Sequence, residues 1–243
     1  MELGGGAVAL RSPKLEALGV PHLFTTRLGP AGELCVRGCR RGELETVRSG
    51  LGAGRAVSVV QARQIHGAAV VEVEFPGPST VGDADALVTS RPEAALMVYT
   101  ADCVPVLVAS SDGRRVGAIH AGWRGLVQGV IPAAIERFGE APAAAAIGAC
   151  LSRERCEMGP EAAEQFVDAG LAEVVGPGPG DRARVDVRAA ARLQLERAGV
   201  GQIDVSGDCT WNDARLFHSH RRDVTHGSRD RAGSLGALIA IRA

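Results

Sequence analysis

The chain has 243 residues, 46% of them hydrophobic, and a formal net charge of −1. Such a composition supports a buried core and is not that of a disordered chain, and the charge balance lacks the concentrated basic face that nucleic-acid binding by counterion release requires. Aromatic residues make up 3%, too few for base-stacking platforms along a single strand.

The first fifty residues are rich in Gly and Arg and weakly periodic, and within them only 20–26 reads as a strand. Residues 1–10 contain Glu2 and no basic residue ahead of the apolar stretch, unlike a secretory leader. The RGCRR run at 37–41, followed by Glu43 and Glu45, reads as a solvated loop. Residues 56–63 and 68–74 read as β, separated by the turn-like His66-Gly67. Nearly continuous apolar runs at 95–99, 104–109 and 115–121 suit short strands buried on both faces. Leu126, Val130, Ala134 and Phe138 form a stripe that predicts a helix over 124–138, which Pro132 should kink or shorten. A second helix is predicted over 160–169, with Pro160 at the first helical position. A third spans 187–198, with Asp186 as N-cap and Gly199 just past the end. GPGPG at 176–180 reads as a surface loop and 235–241 as a strand. No apolar run approaches the ~20 residues of a membrane helix. Strands alternating with helices, without an internal repeat, predict one mixed α/β domain over residues 1–243, cytoplasmic and without membrane or nucleic-acid partners.

Six cysteines, at 35, 39, 103, 150, 156 and 209, raise metal or catalytic use ahead of disulfides in a chain of this kind. Cys35 and Cys39 have no second pair to complete a four-ligand site and read as free thiols. Three segments each place a ligand at a strand end: Gln64-Ile65-His66-Gly67, Thr100-Ala101-Asp102-Cys103-Val104-Pro105 and His120-Ala121-Gly122-Trp123-Arg124-Gly125. Strand ends are where α/β folds carry function. Two imidazoles and a thiolate suit Zn²⁺, and three protein ligands leave a fourth position for water or substrate. Spacing alone accommodates equally well two core histidines and a buried cysteine.

QIHG (64–67), DALVTS (85–90), TADCVPVLV (100–108), HAGWRGL (120–126), the IGAC and CEMGPE motifs within 147–161, and FHSHRRD (217–223) resemble, in this order, the laccase-domain family. Its members are also called polyphenol oxidases or purine nucleoside phosphorylases. The resemblance implies an α/β/β/α layered sandwich with mixed sheets, distantly similar to a bacterial toxin with a cysteine-dependent hydrolase core. It also implies one zinc per chain on His66, Cys103 and His120. The reaction implied is phosphorolysis of adenosine, inosine or guanosine to the base and ribose 1-phosphate, with adenosine deamination and methylthioadenosine phosphorolysis as companions. Two stretches depart from the family pattern. FTTRLGPAGELCVRGCRRGE is short and transfers only Arg27, and His220-Arg221-Arg222-Asp223 stands where Tyr-Arg-Arg-Asp is frequent.

Arg27 and Arg222 are candidates for anion or nucleoside contacts, since guanidinium binds phosphate bidentately. Gln64 joins them on the substrate side, and Asp85 and Asp102 are candidates for ligand support or acid–base work. The structural alternatives are surface ion pairs for the arginines and a turn hydrogen bond for Asp102. Multicopper chemistry needs repeated His-x-His pairs, but six histidines supply one such pair, His218 and His220, so copper ranks behind zinc. The lack of Cys-x-x-Cys excludes the common zinc deaminase class. Two further readings are a peptidoglycan-precursor editing hydrolase at the same centre and a non-enzymatic partner protein, which would not need an open three-ligand site. The expected partners are small molecules, a purine nucleoside and phosphate, and the expected assembly is a monomer or small homo-oligomer.

Overall fold

A computed structural model describes residues 1–4, 6–29, 32–36, 41–75, 80–227 and 233–242. Two mixed sheets carry the architecture. The first has seven strands, in the order Glu2–Gly4, Ala7–Leu10, His22–Thr25, Leu235–Ala240, Ala94–Thr100, Ser58–Arg63 and Thr80–Asp83. The second has six, in the order Gln202–Val205, Ala144–Ile147, Val104–Ala109, Val116–Ala121, Ala86–Thr89 and Val70–Glu72.

The strand side chains explain why the sheets stack. Successive residues of a strand point to opposite faces, so a continuous apolar run feeds two cores at once. Leu96 and Val98 enter the core between the sheets, while Ala95 and Met97 enter an outer core with Val47 and Leu51. On the second sheet Leu107 and Ala109 join the inter-sheet core, while Val106 and Val108 pack with Leu126, Ile131 and Phe138. The result is helix, sheet, sheet, helix: the α/β/β/α sandwich with mixed sheets.

Most predicted elements appear within a residue or two of their expected bounds. Asp186 caps the helix Val187–Arg197 by accepting from the Ala189 N–H at 2.9 Å, and Gly199 follows with φ 77°. Pro160 opens the helix Pro160–Asp168. The expected single helix over 124–138 is instead two, Trp123–Val127 and Val130–Phe138, divided at Gly129 with φ 80°. Pro132 thus falls in the first turn of the second helix, where its missing N–H costs no intrahelical bond. Residues 176–180 are not wholly loop, because Val175–Pro177 pairs with Ala183–Val185. The helix Arg41–Gly50 begins in a stretch read as loop, and residues 37–40 of the RGCRR run lie outside the described residues. Among the described residues no helix is long and apolar enough to cross a membrane.

Gly148 lets the sheets close. A β-carbon there would lie 2.5 Å from Phe24 Cδ1 and 2.9 Å from Pro105 Cγ, one side chain from each sheet. Gly148→Ala is expected to destabilise the protein by about 1–3 kcal/mol, the usual cost of overpacking, read from denaturant unfolding.

His22 is fully buried as a neutral ring. Nε2 accepts from the Ser12 N–H at 2.7 Å and Nδ1 donates to the Val20 carbonyl at 2.8 Å. Burial pulls its pKa below the ordinary 6.5, against the opposing effect of the Val20 bond. The unfolded chain therefore takes the proton first, so stability is intact above pH 6.5 and declines as pH falls from there toward the folded value. The denaturant midpoint should be lower at about pH 5.5 than at about pH 7.5. His22→Gln should flatten that slope, leaving the share of His218, whose pKa burial also lowers.

Candidate metal centre

The centre begins with Asp85, buried just ahead of the strand Ala86–Thr89. Its carboxylate accepts three consecutive backbone N–H groups, from Ile65 at 3.2 Å, His66 at 2.9 Å and Gly67 at 2.7 Å. These bonds hold the turn that leaves the first sheet after Arg63 and enters the second at Val70. They also hold His66 in a left-handed conformation, φ 60°, which a side-chain-bearing residue adopts at a cost.

The same carboxylate bonds His120 Nδ1 at 2.8 Å, while the Asp85 carbonyl accepts the His120 N–H at 2.7 Å. Nδ1 thus carries the proton and Nε2 is left to act as a ligand. His120 lies on Val116–Ala121, beside Val104–Ala109, in a register that places Val104 opposite Ala121. Cys103 therefore meets the turn after His120. The ligand atoms of His66, Cys103 and His120 lie within 4.8 Å of one another, and this is the group suited to a metal ion among the described residues. The two imidazoles meet edge to face, with centroids 4.8 Å apart.

Burial pushes the Cys103 thiol up, but the charge of His120 and hydrogen bonds from His120 and His66 outweigh it and bring it down to about 6. Burial draws His120 down, yet the Cys103 charge and the Asp85 hydrogen bond raise it to about 9. A thiolate at neutral pH is the form that binds metal. Gly122 tests the fit: a β-carbon there would sit 3.0 Å from His66 Cδ2, 3.4 Å from Cys103 Sγ and 3.5 Å from His120 Cε1. The missing side chain keeps space beside the three donors, and the Cys-His-His set suits an ion of the zinc type.

Asp102 precedes Cys103 with φ 88°. Its carboxylate accepts the Thr210 hydroxyl at 2.5 Å and the Arg221 N–H at 2.6 Å, and its carbonyl accepts the Leu151 N–H at 3.0 Å. Both of its carboxylate oxygens are therefore occupied in fixing the wall around Cys103. Gln64 is likewise committed, donating to the Tyr99 carbonyl at 2.8 Å and accepting its N–H at 2.7 Å.

The two arginines singled out from sequence lie behind the site. Arg222 spends all its donors on the Thr210, Trp211 and Phe217 carbonyls and the Asp223 carboxylate. Arg27 bonds Glu33 at 2.8 Å and the Ala214 carbonyl at 3.2 Å. A cavity of about 880 Å³ opens over the three metal-type ligands, and its walls include Tyr99, Trp123, Arg124, His220 and Arg221. From sequence, His220 reads with His218 as a substrate-side or structural pair, while Tyr99, Trp123, Arg124 and Arg221 are assigned no role, although Trp123 and Arg124 lie inside HAGWRG. His218 does not pair with His220; it is buried and donates from Nε2 to the Leu34 carbonyl at 2.7 Å. Burial pushes the Cys150 thiol up to about 11 and the Cys156 thiol to about 12, which sets both apart from Cys103.

The chain is similar to known proteins along nearly its whole length. It is 36% identical to a purine nucleoside phosphorylase of Deinococcus radiodurans, covering 97% of this chain and 92% of that protein. It is 39% identical to purine nucleoside phosphorylase Rv2149c of Mycobacterium tuberculosis, over 70% of this chain and 69% of that one. Its fold is similar to that of protein NMB0706 of Neisseria meningitidis, with TM-score 0.82 and 29% identity over 98% of this chain and 100% of that one. YlmD of Geobacillus stearothermophilus matches with TM-score 0.79 and 25% identity over 100% of this chain and 98% of that one. A family model described as multi-copper polyphenol oxidoreductase laccase matches residues 41–242. With that match spanning the second sheet, four strands of the first and all three metal-type ligands, the chain belongs to the multi-copper polyphenol oxidoreductase laccase family.

Proposed function

We propose that this protein is a zinc-dependent purine nucleoside phosphorylase, converting adenosine, inosine or guanosine and phosphate to the free base and ribose 1-phosphate. The observation that carries the reading is the His66–Cys103–His120 group in the wall of a cavity of about 880 Å³, a size within the usual range for small-molecule sites. The names of the relatives, purine nucleoside phosphorylases at 36% and 39% identity, support the same activity. The two imidazoles and the thiolate favour zinc, with copper the lesser alternative. One ion per chain is the assigned stoichiometry, and His66, Cys103 and His120, which line the cavity, would hold it.

When bound, such an ion supplies a Lewis-acid charge beside the substrate. The protein's own groups do the positioning. Asp85 fixes the tautomer of His120 and the turn that carries His66. Asp102 and Gln64 hold the cavity wall through Arg221, Thr210 and Tyr99. Arg27 and Arg222 act one layer further out, since Arg222 pairs with Asp223 at 2.7 Å and Arg27 lies 4.0 Å from it, steadying the turn that presents His220 and Arg221. Adenosine deamination and methylthioadenosine phosphorolysis are assigned to the same cavity as companion activities. We place the protein in the cytoplasm as a monomer or small homo-oligomer; the buried thiols of Cys150, Cys156 and Cys209 accord with a reducing compartment.

Protein purified without chelator should contain one zinc per chain by elemental analysis. Cys103→Ala should lose both the metal and turnover while keeping the native circular dichroism; retained turnover would overturn the assignment. Asp85→Asn replaces one acceptor oxygen by a donor against a row of N–H groups, and should weaken metal retention about 10–100-fold, measured by competition with a chelator. Cleavage of inosine should require phosphate and yield ribose 1-phosphate. Consumption of adenosine at the same rate without phosphate, giving inosine alone, would make the protein a deaminase instead.

A further inference from the structure

Three arginines line the cavity over the metal-type centre, Arg63, Arg124 and Arg221, against one carboxylate, Asp102. The excess of positive charge is local, because the chain as a whole carries −1. Arg63 is already neutralised by a two-pronged pair with Asp83. Asp102 offers little to the other two side chains, since its oxygens are taken by the Thr210 hydroxyl and the Arg221 backbone N–H.

That leaves Arg124 and Arg221. The Arg124 guanidinium lies over the Trp123 ring, 4.5 Å from its centroid, which restrains the side chain while leaving its N–H edge uncommitted. Among the described residues no carboxylate pairs with Arg124 or Arg221 within 4.0 Å. Arg221 donates from Nη1 to the Arg155 and Glu157 carbonyls at 3.2 and 2.9 Å, so one end is anchored and the other remains for a ligand. Both residues are tethered next to the metal-type ligands. Arg124 lies two residues beyond Gly122, where a β-carbon would come within 3.5 Å of all three, and Arg221 hangs from Asp102, the neighbour of Cys103. Uncompensated guanidinium groups in a recessed, partly apolar cavity concentrate anions there, and their planar donor edges match the oxygens of a tetrahedral oxyanion.

We infer that Arg124 and Arg221 form a phosphoryl-binding subsite beside the metal-type centre, occupied by inorganic phosphate as the attacking co-substrate. This rests on the phosphorylase reading for its occupant, but the binding itself can be measured without any turnover. The same chemistry would also recognise the 5′-phosphate of a nucleotide, so both sources belong in the test.

The experiment uses the full-length, metal-loaded protein and the variants R124Q, R221Q and R63Q, each checked for circular dichroism and metal content. Binding of inorganic phosphate alone and of adenosine 5′-monophosphate is measured by titration calorimetry, alongside steady-state kinetics with inosine. Loss of one charge-assisted contact predicts a phosphate Kd and an apparent KM for phosphate raised by at least ~10-fold in R124Q and in R221Q. The KM for inosine should stay within about twofold, as uniform loss of a phosphate contact requires. R63Q should bind phosphate like the unsubstituted protein, because its guanidinium is already paired. Phosphate Kd unchanged in both R124Q and R221Q overturns the inference, even if phosphorolysis proceeds. Arginine-dependent phosphate binding without inosine cleavage upholds the subsite and overturns the phosphorylase reading alone. Arginine-dependent binding of the nucleotide without binding of orthophosphate overturns the co-substrate assignment.

Discussion

One carboxylate holds the centre together. Asp85 gathers the N–H groups of residues 65, 66 and 67 on one side and His120 Nδ1 on the other, so a single buried charge fixes the positions of two imidazoles from distant parts of the chain. The energies are lopsided. A left-handed backbone at a residue with a side chain costs about 1–2 kcal/mol, whereas a hydrogen bond to a charged group contributes about 1.5–3 kcal/mol. Three such bonds outweigh the strain at His66. Burial pushes its pKa up, but His120 and the Gly67 and His66 N–H groups outweigh that and hold it below the ordinary value.

The layered fold makes this arrangement available. The turn at residues 64–67 is the passage from the first sheet to the second, and Cys103 and His120 belong to neighbouring strands of the second sheet. The three donors thus meet where the sheets are bridged, at strand ends, with a cavity on the open side. Asp102 serves Cys103 much as Asp85 serves the histidines. A strained residue is held by bonds that reach to Thr210 and Arg221, and those bonds import the cavity's far wall. Strain at two positions, His66 and Asp102, each gripped by a carboxylate, marks the end of the molecule that carries the candidate site.

Much of this was legible in the sequence, and what was not has identifiable causes. Runs such as VPVLVA at 104–109 announce a strand buried on both faces, because an apolar residue is needed at every position when both faces meet a core. Asp186, Pro160 and Gly199 announce helix ends by backbone chemistry that acts locally. The strands Glu2–Gly4 and Ala7–Leu10 are too short to show a period, and their stability comes from pairing rather than propensity. The break at Gly129 was hidden by an apolar stripe that continues across it. At the site, ligand types and strand ends pointed to His66, Cys103 and His120, yet choosing between Arg221 and Arg222 required the turn itself. There Arg222 folds back onto carbonyls and Arg221 faces the cavity, a distinction of side-chain direction that adjacent identical letters do not encode.

The first sheet closes across nearly the full span of the numbering. Its central strand, Leu235–Ala240, lies between His22–Thr25 and Ala94–Thr100, pairing Leu238 with Leu23 on one side and Met97 on the other. Contacts of such sequence separation slow folding, because loop-closure entropy is lost before any pairing offsets it. Until that strand arrives, His22–Thr25 and Ala94–Thr100 each present an apolar edge with no neighbour, the geometry from which chains associate wrongly. The middle of the second sheet closes locally, since Val104–Ala109 and Val116–Ala121 are joined by a short turn, although its edge strand Gln202–Val205 must still reach Ala144–Ile147. A folding order follows in which the sheet carrying Cys103 and His120 is assembled early, and the last strand to be placed seals the layer against which it rests.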